Sequence, residues 1–162
     1  MRYRLGLLLV LLISLASCSN RNNDIVIHKD FENEEWSRFD YLSGTFDVKK
    51  APAKYDVIME VTVTDVFPNV YESHHDGSAL SFNLTIHNPE GNGSRSRDYN
   101  FKLKDNDGNW KSERVNGYYH FKLPIIGEMT FTEEGSYTFK LENKYYKDPL
   151  YGIKDITIRC IN

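Results

Sequence analysis

The residue best placed to do chemistry is Cys18. It follows Leu15-Ala16-Ser17, and these small residues close an apolar run over residues 5–13 that Arg2 and Arg4 precede. A basic start, a short apolar core and a small-residue cleavage site make a secretory leader. The run is too short to span a membrane, which takes about 20 apolar residues. Leu-Ala-Ser-Cys fits the bacterial lipobox. Cleavage there leaves Cys18 as the first residue, and its sulfur carries a diacylglyceryl group with palmitate-type chains. Each buried CH₂ contributes about 0.8 kcal/mol, so two or three chains on one residue hold the protein on a membrane. The only other cysteine, Cys160, alternates with Ile156 and Ile158. It reads as a buried small hydrophobe, and with Cys18 acylated it has no disulfide partner.

Other groups carry donors suited to metal or catalytic chemistry. Asp105-Asn106-Asp107-Gly108-Asn109 is rich in oxygens, but a calcium-sensor loop needs glycine sixth and glutamate twelfth. Starting at Asp105, the sixth residue is Trp110; with Gly108 sixth, Leu103 is first and Arg114 twelfth. Asp-Gly is instead a hairpin signal. His74-His75-Asp76 offers donors, but neighbouring histidines diverge along a strand and no further ligand motif lies near. Glu133-Glu134 are adjacent, unlike the spaced acids of a glycosidase. No G-x-S-x-G or H-E-x-x-H stretch occurs. These observations assign no catalytic residue, metal site or cofactor, and the expectation is a non-enzymatic protein. Tyrosines are the remaining candidates. Tyr118-Tyr119 and Tyr145-Tyr146 are adjacent pairs, so one of each faces away from a shared core. Packing at a sandwich edge accounts for such pairs, and the alternative is an exposed patch in loops 66–77 and 145–151, which hold tyrosines, Phe67 and prolines. There Tyr71, Tyr145 and Tyr146 are expected to bind a partner, by protein contact or sugar stacking, with little effect on stability.

The chain's 162 residues less a leader of 17 leave 145, one domain able to bury roughly 70% of its unfolded surface. The formal net charge of −3 falls by two, to −5, when Arg2 and Arg4 leave with the leader. That balance excludes attraction to nucleic acid. Residues 18–23 read as the lipidated cysteine and a polar tether with a mean reach of about 12 Å, and residues 24–162 as a single domain. The tether has an arginine, three asparagines and no acid before Asp24. Lacking an acidic surface-display cluster, it favours the periplasmic face of the membrane.

Aromatic residues make up 14% of the chain, a composition that suits strands. Residues 24–29 and 41–48 read as strands, with Gly44 marking a bulge. Between them, Phe31, Trp36 and Phe39 sit in one helical turn or an irregular segment whose aromatics cap the core. Over residues 55–64, Tyr55, Val57, Met59, Val61 and Val63 share one face. In the next strand Leu80, Phe82, Leu84 and Ile86 point inward. Residues 88–97 read as a loop. Further strands follow at Tyr99–Leu103, Tyr118–Leu123, Met129–Phe131, Tyr137–Leu141 and residues 153–161. Many short strands without helical periodicity predict an all-β fold: an antiparallel β-sandwich, jelly-roll or immunoglobulin-like, with a closed barrel as the second choice.

Several pieces carry a resemblance. They are Trp36 followed by Phe39; Tyr55-Asp56-Val57 opening a strand; Phe101-Lys102-Leu103 with Asp107-Gly108-Asn109-Trp110; Gly135-Ser136-Tyr137-Thr138-Phe139; and Leu150-Tyr151-Gly152-Ile153-Lys154-Asp155-Ile156. Spread over most of residues 24–160, they resemble the gliding-motility lipoprotein family GldH of the Bacteroidetes. None is a catalytic motif. The resemblance implies an outer-membrane lipoprotein, an accessory or assembly factor of a motility or secretion machinery with an envelope protein as partner. The alternative is a module that binds cell-envelope glycan or polymer.

Overall fold

A computed structural model describes residues 24–68 and 78–162. Cys18, Tyr71 and the His74-His75-Asp76 group lie outside the described residues. In chain order the strands are β1 (Ile25–Asp30), β2 (Glu35–Trp36), β3 (Leu42–Val48), β4 (Ala53–Val63), β5 (Ala79–His87), β6 (Ser94–Lys102), β7 (Arg114–Val115), β8 (Tyr118–Phe131), β9 (Gly135–Asn143), β10 (Leu150–Tyr151) and β11 (Ile153–Ile161). They form a five-stranded sheet, β1-β11-β4-β8-β7, a four-stranded sheet, β3-β9-β5-β6, and a two-stranded ribbon, β10-β2. Every pairing between these strands is antiparallel. The two larger sheets pack as a sandwich and stay open, so the closed barrel is set aside.

Strict alternation explains why these segments are strands. Leu80, Phe82, Leu84 and Ile86 of β5 are all buried, as are Val57, Met59, Val61 and Val63 of β4. Period two sends each set into the space between the sheets. There they meet Phe46, Phe131 and Tyr137, whose rings pack edge-on or tilted at 4.7–5.6 Å, and Phe139 and Leu141 of β9. Cys160 is a free, buried thiol. Burial, with the Asp24 carboxylate adding to it, pushes its pKa up to about 12.

Three expectations change, and one open alternative closes. Gly44 marks no bulge: the β3–β9 register runs unbroken through Gly44 and Phe139. Glycine is needed because β1 passes so close that a Cβ would collide with the Val26 carbonyl oxygen. The loop after β5 ends at Gly93, and polar Ser94–Arg97 already belongs to β6, because backbone pairing with β5 holds this edge strand whatever its side chains. Residues 118–131 are one strand; Pro124 and Gly127 do not end it, since bulges around Val57 shift the register of β4 against it. Residues 31–40 hold no helical turn, and Trp36 belongs to β2.

Candidate functional site

Chain direction sorts the connections into two ends. β1 begins at one end, together with the short connections 49–52, 88–93 and 132–134 and the close of β11. At the other end lie residues 31–41, 64–68, 103–117 and 144–152. The first is called here the near end, because the chain enters it from the direction of Cys18, and the second the far end.

The far end is built on Trp36, which has no exposed surface. Its ring lies 5.9 Å from that of Phe31, and its indole N–H donates to the Asp40 carbonyl at 2.9 Å. The Asn143 amide donates to the Trp36 carbonyl at 2.7 Å, so a buried polar group is paired. Trp36 faces Leu150, and Glu35 faces Tyr151, in the β2–β10 ribbon. Arg38 donates from Nη2 to the carbonyls of Tyr145 and Tyr146, both at 2.8 Å. Asp148 accepts from the Arg38 backbone N–H at 2.8 Å. Gly152 sits at φ +77°, and a Cβ there would collide with the backbone of Phe67. Residues 31–41, 67 and 143–152 are thus interlocked by side chains rather than by long ladders.

Beside that platform lies a second packed group. Trp110 stacks on Tyr119 with centroids 4.1 Å apart. Lys104 places its ammonium 4.2 Å from the Trp110 ring centre and donates to the Phe67 carbonyl at 3.1 Å. Burial lowers the Lys104 pKa, against the pull of Asp65. Asp65 itself pairs with Arg114 at 2.6 Å. Burial, followed by the Asp65 charge, raises the Tyr119 hydroxyl. Asp105 forms a turn, as expected: its Oδ1 accepts the Asp107 and Asn109 N–H groups at 2.9 and 2.8 Å. Those bonds, the Asn109 N–H first, hold its carboxyl below the ordinary value. The carboxylate oxygens are occupied by turn amides, which is the job of a capping side chain.

Two grooves border these elements. One, of about 400 Å³, runs between residues 29–40 and Asp148-Pro149 at the far end, with Asp30, Glu32, Glu35 and Asp40 among its lining. The other, of about 330 Å³, crosses the outward face of the five-stranded sheet over Glu60, Thr62, His120, Lys122, Asp155 and Thr157. On that face Thr62 bonds His120 Nδ1 at 3.1 Å, and Thr157 bonds His28 Nδ1 at 2.8 Å. Arg159 bridges Glu60 at 2.9 Å and Asp24 at 3.1 Å, and the Glu60 hydrogen bond raises its pKa. Among the described residues no three His, Cys, Asp or Glu side chains gather as a metal-holding group.

The tyrosines fall differently from expectation. Tyr145 is buried, 4% exposed, and belongs to the core. Tyr146 is half-buried, with its ring 4.8 Å from that of Tyr145. The pair does split, but Tyr145 is the inward member and offers no free ring to a partner. Of the large apolar side chains that do reach solvent, Val66 and Tyr151 lie in the loops expected to supply a contact patch, whereas Phe67, expected there too, is buried. Phe39, Tyr41 and Val115 were not singled out as exposed; Phe39 and Tyr41 carried a signal, flanking the charged Asp40 outside any alternating run.

The fold and this end together describe an all-β sandwich module with one plain end and one elaborated end. The chain belongs to the GldH lipoprotein family, whose model matches residues 26–160. That makes it a gliding-motility-associated lipoprotein of the cell envelope, anchored to a membrane, in a family not known for enzymatic activity. No curated protein matches it.

Proposed function

We propose that this protein is an accessory or assembly factor of a gliding-motility or related secretion machinery in a member of the Bacteroidetes. It is held on the periplasmic face of the outer membrane by acyl chains on Cys18. It acts by contact with an envelope protein, without catalysis or a metal. The family match over residues 26–160 carries this reading. The lipobox before Cys18 and the short polar tether support the anchor, and β1 opens at the near end seven residues beyond that cysteine. Changing Cys18→Ala tests it: the variant stays unprocessed or turns soluble, and cells carrying it lose motility or secretion. A variant that still fractionates with outer membrane after a high-salt wash, in fully motile cells, rules the anchor and the role out.

The groove on the outward sheet face favours a second reading, as a binder of envelope glycan. It offers hydroxyl, imidazole, carboxylate and ammonium groups together. Retention on cell-wall polysaccharide that Glu60→Ala and Lys122→Ala abolish would support it.

A further inference from the structure

Phe39, Tyr41, Val66, Val115 and Tyr151 are the large apolar side chains that stand exposed among the described residues, from 47% to 73%. All five lie at the far end. Single exposed apolar residues scattered over a surface need no explanation; five confined to one end do. Three of them are chain or ribbon neighbours of residues that line the acidic groove, and none of the three lines it. Phe39 and Tyr41 flank Asp40, which lines it, and Tyr151 stands opposite Glu35, another lining residue, in the β2–β10 ribbon. Directly opposed residues of an antiparallel pair share a face, so Glu35 and Tyr151 present together.

The charge around these side chains selects what covers them. Five carboxylates line the groove, and Lys29 is its single base. That ammonium is already 3.9 Å from Asp40. Arg38, the nearest other cation in sequence, directs its guanidinium at the carbonyls of residues 145 and 146. A second copy would set two acidic surfaces against each other. Anionic lipid would be repelled in the same way. The chain coming from Cys18 enters at the near end, about 30 Å away along a nine-residue strand.

We propose that the far end docks a basic segment of an envelope protein, one that seats apolar side chains against Phe39, Tyr41 and Tyr151 and sets lysine or arginine against Glu32, Glu35 and Asp40. This rests on the reading of the chain as a lipid-anchored assembly factor, and names the surface and the partner chemistry that reading leaves open. Opposed charge speeds encounter and rejects acidic competitors, while the aromatic centre holds the complex.

The test places a benzophenone photo-crosslinking residue at Phe39 or at Tyr151 of the full-length chain in its own cells, with Asn92 at the near end as the comparison. Illumination is expected to give a protein adduct from the far-end positions and not from Asn92. In mass spectrometry the captured peptide is expected to carry lysine or arginine beside the linked residue. The double reversal Glu32→Lys, Glu35→Lys should cut adduct yield at least fivefold, with membrane fractionation and thermal melting unchanged. An adduct of twice the chain's own mass, a lipid adduct, a captured peptide without basic residues, a yield indifferent to the reversal, or no adduct at either far-end position overturns the proposal. The unreversed protein is fractionated from the same cells. Membrane-bound protein without the far-end adduct sinks the docking surface alone; protein free of the membrane sinks the anchoring instead. If the double variant melts early, Phe39→Ser replaces it, read through the Tyr151 crosslinker.

Discussion

At the near end three short connections reverse the chain, and hydrogen bonds local in sequence close two of them. The Asn88 carboxamide accepts the Gly93 N–H at 3.0 Å, and the Tyr137 hydroxyl donates to the Glu133 carbonyl at 3.3 Å. At the far end the connections are longer, and they are held by groups distant in sequence: Asn143 to Trp36, Arg38 to residues 145 and 146, Lys104 to Phe67. Ordering a backbone residue costs about 1–2 kcal/mol, and reversing a strand requires only a few residues. The far end therefore carries more ordered chain than the fold needs, and it exposes apolar side chains besides. An end that only closes strands would resemble the near one.

Four experiments break or sharpen this contrast. The largest effect belongs to Trp36→Ala, which empties a fully buried site and should cost about 3–5 kcal/mol in urea unfolding. Amide protection should fall most over residues 143–152. Phe82→Ala costs a similar amount from the core shared by both ends, without that local signature. A loss below about 1 kcal/mol for Trp36→Ala would mean that the far end is not built on it.

Next comes a pair of glycines with similar φ and different surroundings. Gly152→Ala meets the Phe67 backbone, whereas Gly91, at φ +73° in a near-end turn, has nothing within 4 Å of a new Cβ. We expect about 2 kcal/mol or more for Gly152→Ala, and about 1 kcal/mol, the bare left-handed penalty, for Gly91→Ala. Equal costs would remove the distinction between the ends.

A smaller difference separates two aromatics of the far end. Tyr145→Ala should cost more than about 1 kcal/mol, as a core change does, whereas Phe39→Ser stays within about 0.5 kcal/mol. The reverse order in thermal melts would exchange their roles as support and surface.

The smallest effect concerns pH. The Asp105 carboxyl is held below its ordinary 3.8 by turn amides. A group depressed in the folded state adds stability above its unfolded pKa and loses it as pH falls through the folded one. The melting advantage of the wild type over Asp105→Ala should be full at neutral pH and shrink below about pH 3.8. An advantage that grows on acidification contradicts the turn geometry.

The sandwich was legible wherever one strand face is buried and the other wet. In β5 a slip of one residue would expose Phe82 and Leu84, so the pattern is enforced. It was illegible in the first half of β6, before Tyr99. There Arg95 and Arg97 pair with Ile86 and Leu84 and so sit on the inward parity, yet they are exposed because the sandwich is open at this edge. The β7–β8 turn at Asn116-Gly117, both with positive φ, follows from a dipeptide signal that alternation does not use. At the far end the sequence marked Trp36 and Phe39 as one group but could not separate the anchor from the exposed ring. Their fates depend on Asn143 and Leu150, more than a hundred residues away. The same holds for Tyr145 and Tyr146, whose adjacency says that they split and not which way.

The pairing of β1 with β11 carries a consequence for how the protein is made. In its sheet β1 has one neighbour, and that neighbour is the last strand, Ile153–Ile161. Contacts between such distant segments carry a large loop-closure cost and form late. A chain that crosses a membrane N-terminus first therefore emerges with its opening strand unpaired. The five-stranded sheet is completed only when residues 153–161 arrive. Until then β1 has no partner in that sheet, and the opening segment stays threadable before the fold closes behind it.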